Sequence, residues 1–168
     1  MQAILSRMKY MRLVEGVSAF LLPWLFWRFW YPYGGQFSWQ LQLGGMAMVS
    51  YILLQGAYYW HLKQAAQVNR TPLPAYFHAL FKGFQWSNVA GLCAMALALV
   101  YGATGSTSPA SMLWACGLTF FALLEHINYY HHQLMYDTRG AFAGLFRHRR
   151  LRKAALAVDL MRAGRAAR

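Results

Sequence analysis

The stretch ALLEHINYYHHQLMYD, residues 122–137, ends a long apolar run with one carboxylate and three imidazoles. Glu125, His126, Asn128, His131 and His132 are residue types that relay protons, ligate metals or hold polar ligands. At 100° per residue, Glu125, Asn128, Tyr129, His132 and Tyr136 fall within an arc of about 100°. His126, Tyr130 and Gln133 occupy the adjoining arc, while Leu123, Ile127 and Leu134 lie opposite. This stripe predicts that the polar groups face a protein interior and that Glu125 and His132 form a carboxylate–imidazole pair. Such a pair can pass a proton or orient a metal ligand.

The setting follows from composition. Of 168 residues, 58% are apolar, 17% aromatic and only 12% charged, where a soluble domain usually carries about 25% charged residues. The net charge is +12, from 16 Lys and Arg against 4 Asp and Glu. Four runs, 13–33, 39–61, 86–103 and 111–133, approach the roughly 20 residues that cross a bilayer as a helix. They lack the period-2 alternation of a membrane barrel strand. The expected fold is all-α, an integral membrane four-helix bundle spanning 1–136, followed by a basic cytoplasmic tail, 137–168. Nothing resembling a signal-peptide cleavage site follows the first run.

Fifteen of the sixteen bases fall in the N-terminal segment, the connection between runs two and three, and the tail. The positive-inside rule then puts both termini in the cytoplasm of an inner-membrane, multi-pass protein of bacterial type. Arg28 is the exception. It lies among Trp24, Trp27 and Trp30 and is expected to snorkel to outer headgroups. Outer aromatics such as Trp30, Tyr31, Trp39 and Trp114 and inner ones such as Tyr58, Trp60 and Trp86 suit interfacial belts.

Two segments read as lying on the membrane. PLPAYFHALFKGF, 72–84, spaces Tyr76, Phe77, Leu80, Phe81 and Phe84 as an interfacial helix. The tail is basic and amphipathic, with Arg147, Arg149 and Arg150 positioned for anionic headgroups and its last residues expected to be disordered. Ala90, Ala94, Ala98 and Gly102 recur every four residues, which predicts that the third run is the closely packed helix; Gly44 and Gly45 offer the second run a similar surface.

With this topology the inner half of the bundle collects Glu15 from the first run, Gln55 and His61 from the second, Ser87 and Asn88 from the third, and Glu125, His126, Asn128 and His132 from the fourth. An ionisable group in a span must be paired or protonated, and such groups are functional by default. Metal binding by His61, Glu125 and His132, and haem between His61 and one of His126, His131 or His132, remain open by spacing. There is no C-x-x-C-H. HINYYHH resembles, locally only, the histidine boxes of membrane desaturases and hydroxylases. Those enzymes use more histidines than the six present here, and His78 and His148 fall in surface segments. Cys93 and Cys116 differ in depth and read as small packing residues.

Two functions stay open. One is a cytoplasm-facing intramembrane site that binds or transfers a proton, a metal or a small or lipid-like ligand. The other is a non-catalytic accessory or assembly subunit whose polar residues glue helices and whose tail docks on a partner or anionic lipid. Homo-oligomerisation suits either, and nothing in the tail favours nucleic acid over lipid.

Overall fold

A computed structural model of the chain describes residues 2–30, 39–105, 107–135 and 151–166. These form five helices and no strand: α1 Gln2–Trp30, α2 Trp39–Asn69, α3 Phe77–Thr104, α4 Pro109–Tyr130 and α5 Ala155–Ala166. The tail residues Arg147, Arg149 and Arg150, with His148, lie outside the described residues, as do Tyr31 and Tyr136.

Local chemistry explains the boundaries. α2 stops where Arg70 adopts a left-handed φ of 52° and Thr71 N–H donates to Ala66 O at 3.0 Å. Pro72 and Pro74 then prevent continuation. α4 begins with Pro109 after Ser108, whose hydroxyl accepts from Ser111 N–H, a side-chain cap that satisfies an orphan donor. It closes with the N–H groups of His131 and His132 both on Ile127 O.

The third element corrects two expectations. Residues 72–84 do not form a separate interfacial helix, because helix α3 runs unbroken from Phe77 to Thr104. Gly83 costs helix propensity but introduces no break. Phe77 and Phe81 are 1% and 0% exposed; they meet Tyr59 and each other, with Phe77 and Phe81 ring centroids 4.9 Å apart. Nor is α3 the tightly packed helix. Ala90 and Ala94 are exposed, and only 6% of its most apolar stretch is buried.

Helix α2 holds the centre instead. It packs against α1, α3 and α4, and α5 lies over the ends of α3 and α4. Glycines make this possible, since a Cβ at Gly45 would sit 2.9 Å from Leu118 and one at Gly44 would meet the Met95 thioether. At Gly56 it would collide with both Glu15 and Tyr129. Close backbone approach of this kind is how helices associate when water does not drive them together.

Helix α5 is also a correction. Leu156 and Leu160 are 1% and 6% exposed and belong to the same core as Phe77 and Phe81. The apolar face of this tail segment is spent on protein, and Arg162 and Arg165 stay outside. A short antiparallel bridge between His132 and Lys153 aligns it, with Gln133 N–H on Arg152 O at 2.8 Å and Ala154 N–H on His131 O at 3.2 Å.

Helices α3 and α4 are long and apolar enough to cross a membrane. α1 and α2, at 29 and 31 residues, have the length but dilute their apolar content with tyrosine, tryptophan, glutamine and glycine. All four carry exposed apolar side chains: Phe20 at 69%, Leu43 at 55%, Leu97 at 72% and Leu113 at 73%. Cys93 and Cys116 are exposed as well, so neither is a packing residue.

Candidate functional site

Three polar groupings occupy the end of the bundle where α5 docks. In the first, Gln55 and Asn88 exchange side-chain hydrogen bonds: Gln55 Nε2 donates to Asn88 Oδ1 at 2.8 Å, and Asn88 Nδ2 donates to Gln55 Oε1 at 2.9 Å. Tyr130 O–H donates to the same Gln55 oxygen at 2.8 Å. The three residues are 4%, 0% and 4% exposed. This network joins α2, α3 and α4 and gives each of its polar heavy atoms a partner. It is a structural fastener, for a buried amide without partners would cost about 1–3 kcal/mol.

The second grouping surrounds Glu15. Trp60 Nε1 donates to Glu15 Oε1 at 2.9 Å. The other carboxylate oxygen, Oε2, is buried without a hydrogen bond of regular geometry, although Tyr129 lies beside it above Gly56. Glu125, one helix away on α4, receives only a long 3.4 Å contact from Asn128 Nδ2. Asn128 Oδ1 accepts the Leu134 N–H at 2.9 Å, so it also closes the end of α4.

The third grouping links α2 to α5. Lys63 Nζ lies 2.7 Å from Asp159 Oδ2, and Tyr59 O–H donates to that oxygen at 2.7 Å. Lys63 also donates to the Tyr59 oxygen at 2.7 Å and stands over the Tyr59 ring, 5.2 Å from its centroid.

The second and third groupings line one cavity of about 820 Å³ between α1, α2, α4 and α5. Three of the four acidic residues in the chain, Glu15, Glu125 and Asp159, lie in its wall. One face of α1 grades along it: Arg7, Met11, Glu15, Ser18 and Leu22, about 22 Å at 1.5 Å per residue. Leu53 and Phe121 add apolar lining, and Arg152 and Arg162 add basic lining.

The other expected residues fall elsewhere. His61 is exposed, with Nδ1 3.1 Å from Arg12 Nη1, so it faces away from Glu125. The Glu125–His132 pair does not form. α4 ends at Tyr130, which takes His132 off the helical stripe and into the bridge with Lys153. His126 is 4% exposed, stacked on Tyr130 at 5.1 Å and edge-on to His131 at 5.5 Å. Among the described residues no three His, Cys, Asp or Glu side chains come together as a metal site. Arg28 is exposed in the last turn of α1.

Sequence reasoning missed Tyr59, Lys63 and Asp159. Their signal was present but weak: a Tyr–Lys pair at i, i+4 on α2, and one of only two carboxylates in an otherwise basic tail. No protein-family model, curated protein sequence or solved structure matches the chain.

Proposed function

We propose that this chain is a four-span, inner-membrane protein with both termini in the cytoplasm, and that its cytoplasm-facing cavity binds a lipid-like amphiphile with an anionic headgroup. Exposed apolar side chains on all four long helices support the spans. Bare surface of that kind is costly in water and cost-free in lipid. The small buried fraction of α3 and α4 argues in the same direction, since the core helix of a soluble protein is mostly buried. The distribution of the bases supports the orientation.

The observation that carries the ligand reading is the polarity gradient along the α1 face of the cavity. Arg7 lies at one end, and Arg152 and Arg162 also line the wall; all three suit a phosphate by charge and by their planar donor forks. Glu15 and Glu125 come next; as carboxylates they accept hydrogen bonds, and Glu125 receives only the long contact from Asn128. Ser18, Leu22, Leu53 and Phe121 follow, suited to an acyl chain. The matching molecule carries a phosphate, a hydroxyl or amide donor about a turn deeper, and a single hydrocarbon chain.

The experiment is native mass spectrometry of the detergent-purified protein titrated with lysophosphatidylglycerol. Saturable one-to-one binding is expected. Ser18→Phe, which fills the apolar end, should weaken it at least tenfold, and Glu125→Gln several-fold. Binding that is non-saturable, or indifferent to both changes, overturns the reading.

One observation favours the accessory-subunit alternative: the buried Gln55, Asn88 and Tyr130 side chains hydrogen-bond to one another across three helices. Interhelical hydrogen bonds of this kind average about 0.6 kcal/mol in membranes. If the titration fails while the fold is intact, packing is the role of the whole polar set.

A further inference from the structure

A second cavity, of about 570 Å³, opens between the start of α3, the end of α4 and α5. Its volume lies within the roughly 300–1,000 Å³ usual for ligand pockets. What distinguishes it is its charge. Lys82, Lys153 and Arg165 line it together with His78, His131 and His132, and among the described residues no carboxylate does. We propose that this cavity is a binding site for a phosphate-bearing anion.

Several features show that the site is built by the fold. His78 and Lys82 share a face of α3, four residues apart. His131 and His132 are fixed by the end of α4 and by the backbone bridge to Lys153. Behind them, the buried His126 stacks on Tyr130 and meets His131 edge-on, which holds that wall in place. On the far side, α5 approaches at Gly164, where a Cβ would lie 2.9 Å from His78 Nε2. Any larger residue there would push on the imidazole.

The cations have weak partners. Lys82 Nζ donates to the neutral Gln85 Oε1 at 3.0 Å, and Lys153 Nζ reaches only the Met161 thioether at 3.6 Å. Among the described residues neither faces a carboxylate. Fixed positive charges crowded around one space repel each other, and an anion relieves that repulsion. A phosphate accepts several hydrogen bonds at once, and an imidazole N–H donates in either protonation state. A metal cation is disfavoured by the same charges.

This site is separate from the amphiphile cavity and shares only Lys153 with it, so either can fail alone. The phosphate could belong to a soluble anion or to a lipid headgroup at the cytoplasmic surface. Two arms separate these sources, both reading the imidazole Cε1–H resonances of His78, His131 and His132. In one, the protein in neutral detergent is titrated with inorganic pyrophosphate. In the other, phosphatidylcholine nanodiscs with and without phosphatidic acid are compared. Saturable shifts of these three histidines are expected in at least one arm. Shifts with pyrophosphate assign a soluble anion, and shifts with phosphatidic acid alone assign a headgroup. Lys82→Gln with Arg165→Gln should raise the half-saturating concentration at least tenfold. Both side chains are exposed, so folding should survive; Lys82→Gln alone, expected to raise it several-fold, serves if the double variant does not fold. No shift in either arm, or shifts unchanged by these substitutions, overturns the proposal.

Discussion

Lys63 on α2 and Asp159 on α5 meet at 2.7 Å across 96 residues of chain. Their side chains are 24% and 12% exposed, which makes this a largely desolvated pair with Tyr59 as its third member. Losing one member of such a pair costs more than the pair contributes, because the survivor stays buried without its partner.

Asp159→Asn should therefore loosen α5, with a cost of about 1–3 kcal/mol as the ammonium loses its charged acceptor. Limited trypsin digestion should cut around Lys153 and Arg162 several-fold faster than in the unaltered protein. Lys63→Met combined with Asp159→Leu should restore much of the resistance, since no charge is left stranded. Equal cleavage rates in all three proteins would show that the apolar contacts of Leu156 and Leu160 hold α5 alone.

Gly56 gives a sharper test of packing. A Cβ there would collide with Glu15 and Tyr129, whereas at Gly83 and Gly117 it would meet nothing within 4 Å. Gly56→Ala should destabilise by about 1–3 kcal/mol through overpacking. Gly83→Ala should be neutral or stabilise by up to about 1 kcal/mol, as expected for a helical glycine with open space. Denaturant unfolding in mixed micelles, followed by helical circular dichroism, compares the three. A neutral Gly56→Ala would mean that α1 does not approach α2 this closely.

Orientation can be checked with added thiols in a chain whose own cysteines are replaced by serine. Ser6→Cys, near the start of α1, should react with a membrane-impermeant maleimide only after the membrane is opened. Thr107→Cys, between α3 and α4, should react in intact spheroplasts. The reverse pattern would invert the topology and place both cavities on the outer side.

How far the sequence could be read is clearest on α4. Its apolar content and length gave the helix, with a start expected at 111 and observed at Pro109. The wheel that paired Glu125 with His132 failed because it assumed the helix continued past Tyr130. Hydrogen bonds from His131 and His132 to Ile127 O end it there, and two residues of non-helical backbone are enough to send His132 to the other cavity. The small-residue pattern on α3 failed for a related reason. Periodicity shows that a face exists, not what covers it, and the glycines of α2 took the close contacts.

Composition and hydrophobic run length pointed to the class of this protein, an all-α chain with long apolar helices. Those properties depend on the cost of placing each residue in water or hydrocarbon, a cost that can be summed along a chain without knowing its neighbours. Which polar groups share a cavity was decided by tertiary structure alone. Asp159 reaches Lys63, and Glu15 reaches Trp60, only because α5 folds back and Gly56 admits a neighbouring helix; hydrogen bonds act over about 3 Å, and one-dimensional spacing says nothing at that range about residues a hundred positions apart.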